Sequence, residues 1–251
     1  SLQEGKPMPY VEQEKKIFAQ GLFDVSTTAL ERVGTIRTLD DGRKFAYAKN
    51  GAVALVAGKL CQSAAPVANH LNIAVAAAAA VDDSTITVTL GATAASVNDY
   101  QNGFLHTNDA AGEGFIYKVK SHPAAIASAS LVLTLYDKVR FALTTASEAT
   151  LTKHPEKDVI LCPTTLTSQP IGVPVVDVAI DNFFWIQGAG PCAVLTDGVV
   201  VVGETVVASN GVAGAVEDFV PGTSLSAIVG SVLRVNADTE YSLINLAIHG
   251  F

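Results

Sequence analysis

Apolar and polar side chains alternate with a period of two along most of this chain. Residues 85–90 read Thr, Ile, Thr, Val, Thr, Leu. Successive side chains on a strand leave by opposite faces, so Ile86, Val88 and Leu90 are predicted to point inward and the threonines outward. Residues 114–120 and 131–136 give two further strands. Residues 33–39 and 43–49 alternate on either side of Asp40, Asp41 and Gly42. An Asp-Gly pair supplies the positive φ of a tight turn, so these two runs form a hairpin. Phe45 and Tyr47 then share one of its faces, Lys44 and Ala46 the other. Asn50 and Gly51 mark a second turn, ahead of the apolar stretch 52–57.

The last third continues in the same manner. Strands are expected at 159–161, 173–180 and 183–187. Residues 193–195 and 199–202 flank a turn at Asp197 and Gly198, and 205–208 and 213–217 flank Asn210 and Gly211. Residues 227–235 and 241–248 form a last pair, joined at 236–239. Short strands with turns every 8–12 residues or so indicate a sandwich or barrel. Two stretches resist this reading. Five alanines at 76–80 favour a helix by propensity, but they follow Ile73 and Val75 and precede a strand, so a strand of small side chains is expected. Residues 144–153 are the best short-helix candidate, stopped at His154 and Pro155.

Residues 1–30 have no sustained period. They hold Pro7, Pro9, a charged run from Glu12 to Lys16 and scattered apolar residues. Such a segment orders only by lying on another surface. The expected architecture is all-β: sandwich- or barrel-like β domains with an extended N-terminal arm and at most one or two short helices. The arm is residues 1–30, a β domain follows at 31–157, and a second β region at 158–251 packs on the first.

Composition narrows the function. The chain has 251 residues, a formal charge of −8, and 16% charged against 49% hydrophobic residues. Proteins average about 25% charged, so this chain has a large core and little self-repulsion. With no basic block, direct nucleic-acid binding is not expected, because neutralising phosphates takes clustered Lys and Arg. No apolar run approaches the ~18 residues of a membrane span, and the polar, charged start at Ser1 does not read as a secretory signal.

Candidate chemistry is sparse. The three cysteines, Cys61, Cys162 and Cys192, are widely spaced and suit small buried residues better than a disulfide or zinc framework. The five histidines show no metal-ligand spacing. His106 lies near Asp109 and Glu113 in a Gly-rich stretch, where a solvated turn competes with an acid–base pair. Gly188, Ala189 and Gly190 lack the Lys and helix of a phosphate loop. Phe183, Phe184 and Trp185 offer rings for stacking on a sugar, and alternation leaves one of them exposed. We assign no catalytic residue, cofactor or metal.

Four stretches carry a resemblance: GRKFAYAKNGAVALVAGKL (42–60), NGFLHTNDAAGEGFIYKVKSHPA (102–124), LVLTLYDKV (131–139) and GVPVVDVAIDNFFWIQGAGPCAVLTDG (172–198). The most distinctive segments are the Gly-Glu-Gly-Phe run with the Lys-Ser-His-Pro that follows, and the Phe-Trp-x-Gln-x-x-Gly-Pro run. Together they resemble capsid decoration (head-stabilising, or cement) proteins of tailed bacteriophages, particularly marine and environmental ones. The resemblance implies a structural virion protein on the capsid exterior, made in the host cytoplasm. It implies bridging of neighbouring major capsid subunits, self-association as a homotrimer, and no enzymatic role. The arm would reach across a subunit boundary, with Tyr10, Ile17, Phe18, Leu22 and Phe23 as its contacts, and the −8 charge would favour a more basic shell. A tail or capsid-fibre protein that binds carbohydrate in host attachment is the alternative.

Overall fold

The computed structural model describes residues 17–222 and 226–248, and among these sixteen strands form two sheets. The chain starts the larger sheet with β1 (Ile36–Thr38), β2 (Lys44–Lys49) and β3 (Cys61–Gln62). It then leaves to build the smaller one from β4 (Ile73–Ala74), β5 (Thr85–Thr89), β6 (Phe104–Asp109), β7 (Ile116–Ser121), β8 (Ser130–Leu135) and β9 (Glu148–Thr152). It returns through β10 (Ile160–Leu161), β11 (Pro170–Pro174), β12 (Phe183–Leu195), β13 (Thr205–Ala208), β14 (Val216–Asp218), β15 (Ile228–Arg234) and β16 (Tyr241–Ala247). One 3-10 turn, Ala68–His70, is the helical element among the described residues. The all-β expectation holds. Sheet membership does not follow a division at 157/158: the smaller sheet is inserted into the larger one.

The six-stranded sheet has the order β4-β9-β6-β7-β8-β5. Its two ends meet where Val75 lies beside Val88, and the Ala76 N–H donates to the Thr87 carbonyl at 2.8 Å. The sheet therefore rolls into a nearly closed barrel, which leaves little open edge for another strand to join. Inward residues from every strand fill it: Ile86 and Val88 from β5, Leu105 from β6, Tyr117 and Val119 from β7, Leu131 and Leu133 from β8, Ala149 and Leu151 from β9. Residues 148–152, expected in a helix, are thus a strand. Ala149 and Leu151 fall at period two, and pairing with β6 supplies the partners that local propensity ignores.

In the ten-stranded sheet β12 is the spine. Over thirteen residues it pairs with β2 along its first half and with β16 along its second, while β11 flanks it near Ile186 and Gln187. The handover from β2 to β16 is a bulge at Gln187–Ala189. There the buried Gln187 amide donates toward the carbonyls of Ala189, Gly190 and Pro191 at 2.9–3.3 Å. The β1–β2 hairpin forms as expected, with Gly42 at φ +86° in its turn. β2 is covered on both sides: Phe45 and Tyr47 pack with Trp185, and Ala46 and Ala48 pack in a separate cluster with Phe184 and Ile186.

Two other expectations are corrected. The strand read at 173–180 is Pro170–Pro174, and Val178 contributes only a single bridge to Leu55. Residues 199–202 form no strand: the Gly198 N–H is held by Asp238 and the Gly203 N–H by the Val232 carbonyl, and of the four valines only Val200 reaches the core.

Charged side chains tie the barrel to the larger sheet. Lys49 on β2 reaches Asp181 at 2.8 Å and Asp158 at 3.4 Å; Lys153 reaches Asp158 at 2.7 Å and Asp99 at 3.7 Å. Lys157 donates to the carbonyls of Asn98 and Asp99 at 2.6 and 2.8 Å. Burial works against the Asp158 carboxylate, yet Lys153, Lys49 and Lys157 together hold its pKa below the usual value.

Candidate interaction surface

Residues 17–30 lie along the start of β12 and are fixed there by one side chain. Gln20 is 1% exposed. Its amide donates to the carbonyls of Asp24 (2.7 Å) and Phe183 (3.0 Å) and accepts from the hydroxyls of Ser26 (2.7 Å) and Tyr47 (2.5 Å). Its own carbonyl accepts from Trp185 Nε1 at 3.2 Å. An amide offers two N–H donors and an oxygen with two lone pairs, so the side chain is fully used. Ser26 and Phe183 add a reciprocal pair of backbone bonds at 2.7 and 3.0 Å.

This anchorage divides the five side chains read as contacts of the arm. Tyr10 lies outside the described residues. Phe18 meets Trp185 edge-on at 5.2 Å, beneath the Arg37 guanidinium, and half-buried Leu22 packs on the same cluster. Ile17 and Phe23 stay open, at 92% and 61% exposure. The ring expected to stand exposed near Trp185 does not: Phe184 and Trp185 are fully buried, and half-buried Phe183 stacks on Tyr47. Gln20 was not legible as a keystone, since a lone Gln in an unpatterned segment gives no signal.

Phe23 borders a groove of about 290 Å³ with Pro174, Val175, Pro191, Ala193 and Tyr241. The Tyr241 ring lies over Gly58, where a Cβ would come within 2.5 Å of it and where φ is +78°. From this groove the outer face of β12 and β16 continues. Across it Ala189 pairs with Ala247, Pro191 with Asn245, and Ala193 with Leu243. Ser242, Ile244 and Leu246 point the other way into the core. Thus Tyr241, Leu243, Asn245 and Ala247 face solvent together with Pro191 and Ala193, and none of these side chains is charged. The signal was in the sequence: the outward positions of 241–247 are as uncharged as the inward ones.

The buried imidazoles are committed to the fold. His122 Nε2 accepts from the Tyr100 N–H at 2.9 Å, so Nδ1 carries the proton and donates to the Pro123 carbonyl at 2.8 Å. His70 sits between the Thr93 carbonyl (2.9 Å) and the Tyr100 hydroxyl. The His122 ring is therefore held neutral. Burial pushes the His122 pKa down and the Tyr100 pKa up. His154 Nδ1 pairs with Glu156 at 2.7 Å, while its ring covers Gly34. His106 lies on β6 and its ring is hydrogen-bonded to neither Asp109 nor Glu113; the Asp109 carboxylate instead accepts from the Ala110 N–H. The three cysteines are buried and free, and burial drives the thiols of Cys162 and Cys192 up to about 12.

The coordinates define an all-β protein of two sheets. No protein-family model matches the chain, nor does any curated protein or solved structure.

Proposed function

We propose that this chain is a structural virion protein that decorates a tailed-phage capsid and bridges neighbouring major capsid subunits as a homotrimer. The uncharged outer face of β12 and β16, with the exposed Phe23 beside it, is the observation that carries this reading. Durable protein contacts have an apolar, well-packed centre with charge confined to the rim. The β12 and β16 side chains of this face are uncharged, with Arg43 beside Pro191 and Arg234 across from Leu243 at its edges, and the −8 charge of the whole chain acts at longer range to steer it toward a basic shell. Fixing residues 17–30 by Gln20 presents Ile17 and Phe23 on a rigid support, so little entropy is lost when they dock. The resemblance of residues 42–60, 102–124, 131–139 and 172–198 to decoration proteins supports the same role.

The test is co-sedimentation with shells lacking the chain. Wild type is expected to pellet with them, and Leu243→Arg, which puts a charge in the middle of the face, to stay in the supernatant with its melting temperature unchanged. Shell binding by Leu243→Arg at wild-type level refutes this use of the face; wild-type protein that never binds shells refutes the role.

A further inference from the structure

A cleft of about 500 Å³ lies where the barrel, the start of β12 and residues 29–33 meet. We propose that it binds a neutral oligosaccharide. Its size falls within the range of small-molecule sites, which favour junctions between structural units. Its polar lining includes three carboxamides, Asn98, Gln101 and Asn102, beside the charged Glu31, Arg32, Lys49 and Lys157. Asn98 Oδ1 accepts from the His122 N–H at 3.0 Å, and Asn102 Oδ1 accepts from the Tyr136 hydroxyl at 3.1 Å. Each amide is oriented by a bond through its oxygen, and its NH2 is left for a ligand. The Gln101 side chain is exposed and makes no protein hydrogen bond, so it can donate and accept. Paired donors and acceptors of this kind suit hydroxyl groups, which need both.

The apolar part of the lining fits the same class. Tyr136, 41% exposed, and Phe183 supply ring surface for the C–H faces of a sugar. The cations of the lining are already engaged within the protein. The Lys49 ammonium is held by Asp158 and Asp181, and Lys157 by two carbonyls. The Arg32 guanidinium rests over the Tyr136 ring at 5.4 Å, with the Glu31 carboxylate on the same wall. An anionic ligand would have to compete with Asp158 and Asp181 for Lys49. The inference rests on the cleft alone and is independent of any role at a shell.

The purified chain should be applied to an immobilised array of neutral and acidic oligosaccharides. Neutral members are expected to retain it, and Gln101→Ala and Tyr136→Ala each to weaken retention about tenfold, the equivalent of losing roughly 1.4 kcal/mol. Gln101→Ala should leave the melting temperature unchanged, which separates lost recognition from lost folding. Retention by acidic members only, retention by none, or full retention of both variants overturns the proposal.

Discussion

Replacing Gln20 by Ala removes the group that joins residues 17–30 to the larger sheet. Four side-chain hydrogen bonds disappear, to Asp24, Phe183, Ser26 and Tyr47. A typical hydrogen bond contributes about 1 kcal/mol net, and a buried partner left dry costs about 1–3 kcal/mol. The Tyr47 hydroxyl is the partner at risk, since the Phe183 carbonyl still accepts from the Ser26 N–H, and water entering the vacated space satisfies part of that demand. The expected loss is about 3 kcal/mol, which for a chain of this size lowers Tm by roughly 6–12 °C. Urea unfolding followed by tryptophan emission measures it directly. Trp185 is the sole tryptophan, and it touches both Phe18 and the Gln20 carbonyl. Release of the segment also wets the indole, so the native emission should shift to the red. Gln20→Glu should be at least as damaging, because a carboxylate would face the Asp24 and Phe183 carbonyls without donors to offer. A loss below about 0.5 kcal/mol with unchanged native emission would refute the assignment of Gln20 as the anchor, given what even one net hydrogen bond contributes.

Stability should fall between pH 7.5 and 5.5. Burial depresses the His122 pKa in the folded state, so the unfolded chain takes up a proton first, near pH 6.5, and stability present above that value is lost as the pH drops toward the folded-state value. Equal urea midpoints at the two pH values would contradict it. Thiol reagents at pH 8 should label none of the three cysteines in the native protein and all three in urea; rapid native labelling would place a thiol at the surface.

Period-two patterning was readable wherever one strand face is core and the other is wet. Residues 85–90 and 131–135 are such cases: Ile86, Val88, Leu131 and Leu133 are buried where alternation put them. The turn chemistry of Asp41 and Gly42 likewise gave the first hairpin. Patterning failed where burial depended on a distant partner. Residues 148–152 have helix-compatible composition and become a strand because β6 offers its edge. Residues 199–202, four valines, find no such edge: Val200 is buried in the core and the other three stay exposed.

Local sequence determined that this chain forms strands and turns, because side-chain alternation and glycine's access to positive φ act over a few residues. It also determined that the outward side of 241–247 carries no charge. The tertiary structure alone decided that the barrel is inserted into the larger sheet, and that Gln20 meets Tyr47 and Phe183. It alone brought Asn98 and Asn102 to the same cleft as residues 29–33. Those meetings join residues from 27 to 163 positions apart in cases such as Gln20 with Tyr47 and with Phe183. They follow from which strand edges pair, a property of the whole sheet that no short window of sequence contains.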